Sequence, residues 1–287
     1  MRHASLDHFL RRGRAALARG PVALVFVEDA VEVASTLCHH LDRGFRSVVA
    51  FAAPGLEVPE TDGRVTRVDH DVGADGALPR VVNACVAAAP PGTWMAYLYN
   101  AEYLFFPFCE TRGVGELCAF VAEERRASVL GYVVDLYAGD LRAHPSGVSR
   151  ADAHLDRAGR YALARTGPDG RAAERQLDVF GGLRWRFEEH VPPRSRRIDR
   201  VALFRAAPNL RLRADHTFDV PEYNTYACPW HNSPTAAFPS FRAAKALKRN
   251  PNSSAAIGTF LWRGSAPFAW HSRQLLDLGL MEPGQWF

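Results

Sequence analysis

Short apolar runs alternate with stretches of helical periodicity along the first half of the chain. Residues 22–27 read VALVFV between Gly20-Pro21 and Glu28-Asp29, as expected of a strand buried on both faces of a sheet. Similar runs recur, and amphipathic stretches separate them. The predicted strands are 22–27, 47–51, 65–68, 94–99 and 128–134, and the predicted helices are 30–43, 78–89 and 115–125. This order predicts an α/β fold with a mostly parallel open sheet and flanking helices.

The pattern becomes less regular after residue 140. Gly, Asp, Arg and Pro dominate residues 140–197 and favour a long excursion with few regular elements. Two short runs, 201–204 and 210–213, predict strands of a smaller sheet, and an aromatic- and histidine-rich segment that includes Trp230 follows. Neither an internal repeat nor a clear linker is present. The sequence therefore predicts one domain, 1–287, with a larger part at 20–140 and a smaller C-terminal lobe at 141–287.

Composition and charge point to a globular protein with a modest preference for anions. The chain is 47% hydrophobic and 23% charged, which does not favour disorder. Its formal net charge is +4, carried almost entirely by arginine, since Lys245 and Lys248 are the only lysines. Such a balance suits phosphate-bearing ligands. No nucleic-acid-binding motif accompanies it, so nucleic acid is not a predicted partner.

The distribution of apolar residues and cysteines indicates a cytoplasmic location. No apolar run approaches the roughly 20 residues that cross a bilayer, and the N-terminal residues lack a signal-peptide pattern. The five cysteines are widely spaced, which favours free thiols in a reducing compartment. The segment Cys228-Pro-Trp-His231 lacks the second cysteine that a redox pair requires.

Polar side chains follow three of the predicted strands. Ligands of open parallel sheets bind at the carboxyl ends of the strands, so these side chains are candidates for chemistry. Two oxygens at positions i and i+2 after a strand can bind one divalent cation, which then holds a diphosphate. The side chains in question are Glu28, Asp29, Asp69, Asp71, Asn100 and Glu102.

The stretch from Trp94 to Pro107 resembles the metal motif of the family 2 glycosyltransferases. In the branch concerned, the strand ends in Asp-x-Asp-Glu-Phe and continues to a proline. The matching positions here read Asn100-Ala101-Glu102-Tyr103-Leu104, followed by Pro107. The earlier order of strand, helix with His39-His40, Gly44 and second strand is also similar. The resemblance covers about residues 21–140, and a neutral Asn100 and a Tyr103 stand where that branch has acids.

The resemblance implies a Rossmann-like, GT-A type fold and a set of site residues. The implied activity is transfer of a sugar from a nucleotide sugar to a glycan or other hydroxyl acceptor, with Mn²⁺ or Mg²⁺ on the diphosphate. The implied nucleotide-binding residues are Glu28, Asp69, Asp71 and Asn100, and the implied metal ligands are Glu102, Asn100 and the late histidines His216 and His231, with His271 as a further candidate. The candidate catalytic bases are Asp152, Glu188 and Glu189, and more weakly His190.

Three other interpretations stay open at this point. A non-catalytic glycosyltransferase-like protein that binds a glycan or a protein partner would account for Asn100, Tyr103 and the aromatic-rich C-terminal segment. A nucleotidyltransferase would need several converging carboxylates. The arginines of residues 184–213 either clamp a diphosphate or form a solvated basic face.

Overall fold

The computed structural model describes residues 1–59, 63–167, 169–228 and 231–286, so Trp230 lies outside the described residues. The strands are β1 (Arg2–His3), β2 (Val22–Val27), β3 (Ser47–Ala52), β4 (Val65–Asp69), β5 (Trp94–Tyr99), β6 (Ser128–Ala138), β7 (Ala153–Asp156), β8 (Arg160–Thr166), β9 (Ala172–Gly181), β10 (Asp199–Arg205), β11 (Ala236–Ser240) and β12 (Ser265–Pro267). The helices are α1 (Leu6–Arg12), α2 (Val33–Asp42), α3 (Ala77–Ala88), α4 (Val114–Glu123), α5 (Gly182–Arg186), α6 (Arg242–Arg249), α7 (Pro251–Ala256) and α8 (Ser272–Asp277).

The molecule is built on a large mixed sheet with helices on both faces. Its strand order is β1-β4-β3-β2-β5-β10-β6-β7-β12, and β11 pairs with β6. The strands from β1 to β5 are all parallel to their neighbours, whereas β10 is antiparallel to both β5 and β6. The α/β class with a mostly parallel sheet and flanking helices is confirmed. The strands predicted at 22–27 and 94–99 have those bounds in the structure.

Strand β2 explains why the sheet is covered on both faces. All its residues are buried, and successive side chains point to opposite faces. Ala23, Val25 and Val27 belong to the core that contains the apolar faces of α2 and α4. Leu24 and Phe26 belong to the core that contains those of α1 and α3. A continuous apolar run is therefore required here, as for any strand between two layers.

The second half of the chain differs from its prediction in three places. The run at 201–204 is part of β10, which lies inside the main sheet between β5 and β6 and does not belong to a separate smaller sheet. The run at 210–213 forms only an isolated bridge from Leu212 to Phe218. Residues 140–197 contain the β8–β9 hairpin, whose strand β8 is largely exposed. An exposed hairpin has little apolar periodicity, which is why the pattern did not indicate it.

The helices of the described residues are short, the longest being α3 with 12 residues. None of them combines the length and the apolar character that a membrane crossing requires.

Candidate functional site

The order of strands places a crevice between β2 and β5. The chain proceeds from β2 to β3 and β4 on one side, and then crosses to β5 on the other side of β2. In open α/β sheets such a reversal separates the loops at the carboxyl ends of the two strands and creates a binding crevice. Glu28 and Asp29 follow β2, and Asn100 follows β5, so three of the predicted polar residues meet here.

Asn100 joins the two strand ends across this crevice. Its Oδ1 accepts a hydrogen bond of 2.8 Å from the backbone N–H of Glu28. Its Nδ2 donates to Asp29 Oδ1 at 2.7 Å and to the Val31 carbonyl at 2.8 Å. The side chain is fully buried, and the amide satisfies donors and acceptors that a carboxylate could not. Asn100 is thus a structural connector between the loops.

Glu102 points into the interior and forms a buried ion pair. Its Oε2 lies 2.7 Å from Arg200 Nη2 and accepts the Tyr99 backbone N–H at 2.9 Å. Its Oε1 accepts the Ser240 hydroxyl at 3.1 Å. Burial alone would raise the pKa of Glu102, but Arg200 and Arg242 outweigh it and lower that pKa to about 2. The carboxylate is therefore charged and its oxygens are already occupied.

The other residues of the segment that resembles the metal motif also form hydrogen bonds inside the protein. Ala101 adopts a left-handed backbone conformation with φ of 61°, and its N–H donates to Thr36 Oγ1 at 2.9 Å. The Leu104 N–H donates to His40 Nε2 at 3.3 Å, and the Tyr103 hydroxyl lies 2.9 Å from Ser35 Oγ. The segment is held against α2 and β11, so its side chains pack inside the protein and do not line an open site.

A cleft of about 530 Å³ opens beside the junction of β2 and β5. It lies between the residues after β2, the face of α6 and the segment from Arg184 to Ser195. Its charged lining consists of four cations and two carboxylates, a net charge of +2, and His190 also lines it. These charged residues are Glu28, Asp29, Arg184, Arg242, Lys245 and Arg249. The excess of positive charge suits an anionic ligand.

Ion pairs organise the floor of the cleft. Arg242 binds Glu28 in a bidentate pair at 2.8 and 2.7 Å, and it also stacks 3.5 Å from the ring centroid of Tyr99. Asp29 accepts from Lys245 at 3.0 Å and from Arg249 at 3.1 Å. Burial would raise the pKa of Asp29, but Lys245 and the Asn100 amide lower it overall. Two cations therefore share one carboxylate, and 69% of the Arg249 side chain is exposed.

The sequence pattern did not single out the cations of α6. Arg242, Lys245 and Arg249 stand at positions i, i+3 and i+7, which places them on one face of a helix. One signal was available, because Lys245 is one of only two lysines in an arginine-rich chain. Their meeting with Glu28 and Asp29 joins residues more than 200 positions apart, which local pattern cannot show.

The two histidines expected as metal ligands lie in different surroundings. His216 stacks on Tyr97 with ring centroids 5.7 Å apart, and its Nδ1 lies 3.2 Å from the Tyr97 hydroxyl. Burial lowers the pKa of His216 to about 3, and Arg200 and Arg242 add to that effect. His231 lies beside Cys228 and Glu124 instead. Within the described residues, no group of three or more His, Cys, Asp and Glu side chains could hold a metal ion.

The structure does not bring the remaining predicted carboxylates into the cleft. Asp69 ends β4 and pairs with Arg2 and Arg67 at 2.7 and 3.0 Å, while Asp71 caps the turn at Gly73. Asp152 Oδ2 accepts the Asp140 N–H at 2.8 Å. Glu188 lies 3.5 Å from Arg196, and Glu189 lies 3.7 Å from His190. In the described part of the chain, the cleft lining includes none of the carboxylates Asp69, Asp71, Asp152, Glu188 and Glu189.

Neither a protein-family model nor a curated protein matches this sequence.

Proposed function

We propose that this chain is a glycosyltransferase of the GT-A type that binds the diphosphate of a nucleotide sugar in the cleft beside α6. The observation that carries the proposal is the cationic face formed by Arg242, Lys245 and Arg249 at the switch point of the sheet. Guanidinium and ammonium groups bind phosphate oxygens directly and stabilise the charge that develops on a departing diphosphate. The free thiols agree with a cytoplasmic location.

The exposed Arg249 is the cation best placed to change partner. Its contact with Asp29 is shared with Lys245, which is largely buried and lies 3.0 Å from the same carboxylate. Asp29 therefore keeps a charged partner when Arg249 moves to a phosphate. An exposed ion pair contributes little to stability, so this exchange costs little.

The residues that resemble a metal motif do not fit a bound Mn²⁺ or Mg²⁺ in the arrangement present here. Both Glu102 oxygens accept hydrogen bonds from protein groups, and the oxygen of Asn100 accepts the Glu28 N–H. A cation would have to displace Arg200 from a fully buried carboxylate. In the proposed site the α6 cations bind the diphosphate in place of a metal.

His190 is our candidate for the group that removes the acceptor proton. It lines the cleft, and Glu189 Oε1 lies 3.7 Å from its Nε2. A carboxylate beside an imidazole can orient the ring for proton transfer. Glu189 then acts on the acceptor through His190, and Asp152 and Glu188 have no role in this proposal.

A second candidate function is binding without catalysis. Glu28, Asp29 and Glu102 are all engaged with cations of this chain, so the carboxylates near the crevice are occupied. A glycosyltransferase-like protein that only binds a glycan or a protein partner would tolerate this arrangement. It predicts that the cleft residues have no effect on nucleotide affinity.

Calorimetric titration with UDP, GDP and UDP-sugars tests the proposal, once with EDTA and once with Mn²⁺. We expect binding in EDTA that Mn²⁺ does not strengthen. Arg249→Ala should weaken it about tenfold, the equivalent of one charge-assisted phosphate contact. Arg273→Ala is the matched control, because 82% of that side chain is exposed and it lies outside the cleft. If no nucleotide binds, the proposal is wrong.

Catalysis is tested separately from binding. Release of UDP from UDP-sugars with hydroxyl acceptors should be lost in His190→Ala, whereas the affinity for UDP should persist. Binding of UDP without any release, with every acceptor tried, would favour the non-catalytic alternative.

A further inference from the structure

Arg184 differs from the other cations of the cleft in its position. Arg242, Lys245 and Arg249 belong to α6, whereas Arg184 belongs to α5 and begins the wall that runs to Ser195. The Arg184 side chain is 14% exposed, so it is largely packed and still reaches the cleft. Two walls of the cleft therefore carry cations, and a ligand that fills it meets both.

Groups outside the cleft lining hold the Arg184 guanidinium in place. Its Nε donates to Asp135 Oδ1, its backbone N–H donates to Asp135 Oδ2, and its Nη1 donates to the Arg197 carbonyl, each at 3.3 Å. The Asp135 side chain is fully buried. Among the described residues, none accepts a hydrogen bond from Nη2. This donor is therefore available to a ligand, and little conformational freedom is lost when it binds one, because the guanidinium is already fixed.

Both carboxylates of the described cleft lining are already bound to cations of α6. Glu28 forms the bidentate pair with Arg242, and Asp29 accepts from Lys245 and Arg249. An ionised carboxylate only accepts hydrogen bonds, which suits the hydroxyl groups of a neutral sugar. The described lining has no carboxylate left for such hydroxyls, whereas Arg184 offers a donor with a positive charge.

His190 indicates which part of the ligand Arg184 meets. In the proposed function, α6 holds the diphosphate and His190 takes the proton of the acceptor hydroxyl. That hydroxyl attacks the sugar carbon bonded to the diphosphate, so the sugar lies between α6 and His190. Arg184 and His190 belong to the same wall of the cleft. Arg184 is thus placed to contact the sugar.

We propose that Arg184 binds a carboxylate on the transferred sugar, so that the donor is a nucleotide-activated uronic acid; this inference rests on the proposed function. A guanidinium binds a carboxylate through charge-assisted hydrogen bonds, which are stronger than those between neutral groups. A neutral sugar carries a hydroxymethyl group in place of that carboxylate and loses the charge-assisted contact. Arg184 therefore determines donor specificity.

Calorimetric titration of the unaltered protein with UDP, UDP-glucose and UDP-glucuronate tests the proposal. The two sugars differ only in a hydroxymethyl group and a carboxylate. We expect UDP-glucuronate to bind at least about tenfold more tightly than UDP-glucose. GDP-mannose and GDP-mannuronate replace them if GDP binds and UDP does not.

The outcomes separate this proposal from the proposed function. If the nucleotide binds but the two sugars bind equally, the role of Arg184 is overturned and the diphosphate site stands. An acidic group on the acceptor, in place of one on the sugar, would give that same result. If neither UDP nor GDP binds, both proposals are wrong.

A pair of arginine variants distinguishes direct contact from the general charge of the cleft. Arg184→Gln should reduce the preference for UDP-glucuronate to less than about twofold. Arg194→Gln removes the same charge from an exposed residue of the same segment that does not line the cleft, and it should keep the preference. A preference that persists in Arg184→Gln would overturn the proposal.

Folding of the variants is controlled by a double substitution. Arg184→Gln alone leaves the buried Asp135 without its cation, which destabilises a protein. Arg184→Gln combined with Asp135→Asn removes both charges, and it should lose the preference in the same way. Circular dichroism establishes that each variant is folded, and the comparison of the two sugars on the unaltered protein decides the matter if neither variant is.

Discussion

Asn100 and Glu102 hold neighbouring parts of the backbone together by burying hydrogen bonds. Asn100 connects the loops after β2 and β5, and Glu102 binds Arg200 in β10 and Ser240 at the end of β11. Both are fully buried. A buried polar group is tolerated only when its partners are present, so each residue depends on its own neighbours.

Glu102→Gln should destabilise the protein by about 3–5 kcal/mol, because the buried Arg200 loses its counter-charge. Urea unfolding at pH 7 measures the change. Glu123→Gln, on the exposed face of α4, should change the free energy of unfolding by less than about 0.5 kcal/mol. An exposed ion pair contributes roughly 1 kcal/mol or less. If Glu102→Gln lowered the free energy of unfolding by less than about 1 kcal/mol, the ion pair with Arg200 would not stabilise the protein as a buried pair does.

Asn100→Asp introduces the acid that the metal motif has at this position, yet we expect it to lower the free energy of unfolding. The new carboxylate cannot donate to the Val31 carbonyl, and it repels Asp29, whose Oδ1 accepts from Asn100 at 2.7 Å. The expected cost is about 2 kcal/mol in urea unfolding. Asn252→Asp, at an exposed position, serves as the control. A gain of Mn²⁺ affinity in calorimetry, with stability unchanged, would show that the motif can bind metal after all.

Among the helices, α2 makes neutral contacts inside the protein, whereas α6 places charged side chains at the cleft. Helix α2 fixes the segment after β5, since His40 accepts the Leu104 N–H and its Nδ1 lies 2.7 Å from the Thr36 carbonyl. Helix α6 directs Arg242, Lys245 and Arg249 toward the crevice. One helix therefore supplies a neutral internal contact, and the other supplies the charge of the cleft.

The neutral state of His40 predicts a loss of stability in mild acid. Burial lowers the pKa of His40 to about 4 from its ordinary 6.5. The unfolded chain then binds a proton between pH 6.5 and 4 that the folded protein does not, so stability falls across that window. His40 alone accounts for about 2 kcal/mol between pH 7 and pH 5. Urea unfolding at both pH values should show a smaller difference in His40→Gln than in the original chain. An equal difference would contradict this assignment.

At the scale of the whole molecule, the two halves of the sequence share one sheet. Strand β10, which begins at Asp199, separates β5 from β6, and β11 pairs with β6 along five residues. Strands from beyond residue 140 thus pair with β6 on both sides and with the edge of β5 that does not face β2. The chain is expected to unfold as one cooperative unit.

A fragment of residues 1–140 tests this dependence. It contains every predicted strand of the larger part but leaves β5 and β6 without β10 between them. We expect no cooperative transition in urea and no near-ultraviolet circular dichroism signal, whereas the full chain shows both. A sharp transition in the fragment would show that the larger part is an independent domain.

The sequence by itself determined the elements of the first half, the class of fold and the edge of the sheet where chemistry was expected. These follow from local periodicity and from the rule that ligands meet the carboxyl ends of parallel strands. Tertiary structure alone decided the position of β10, the burial of Glu102 and the meeting of α6 with Asp29. Each of these depends on partners distant in sequence, 98 positions from Glu102 to Arg200 and 216 from Asp29 to Lys245. The local sequence pattern cannot predict such pairings. They depend on how the layers pack and on which buried charges need a partner once water is removed.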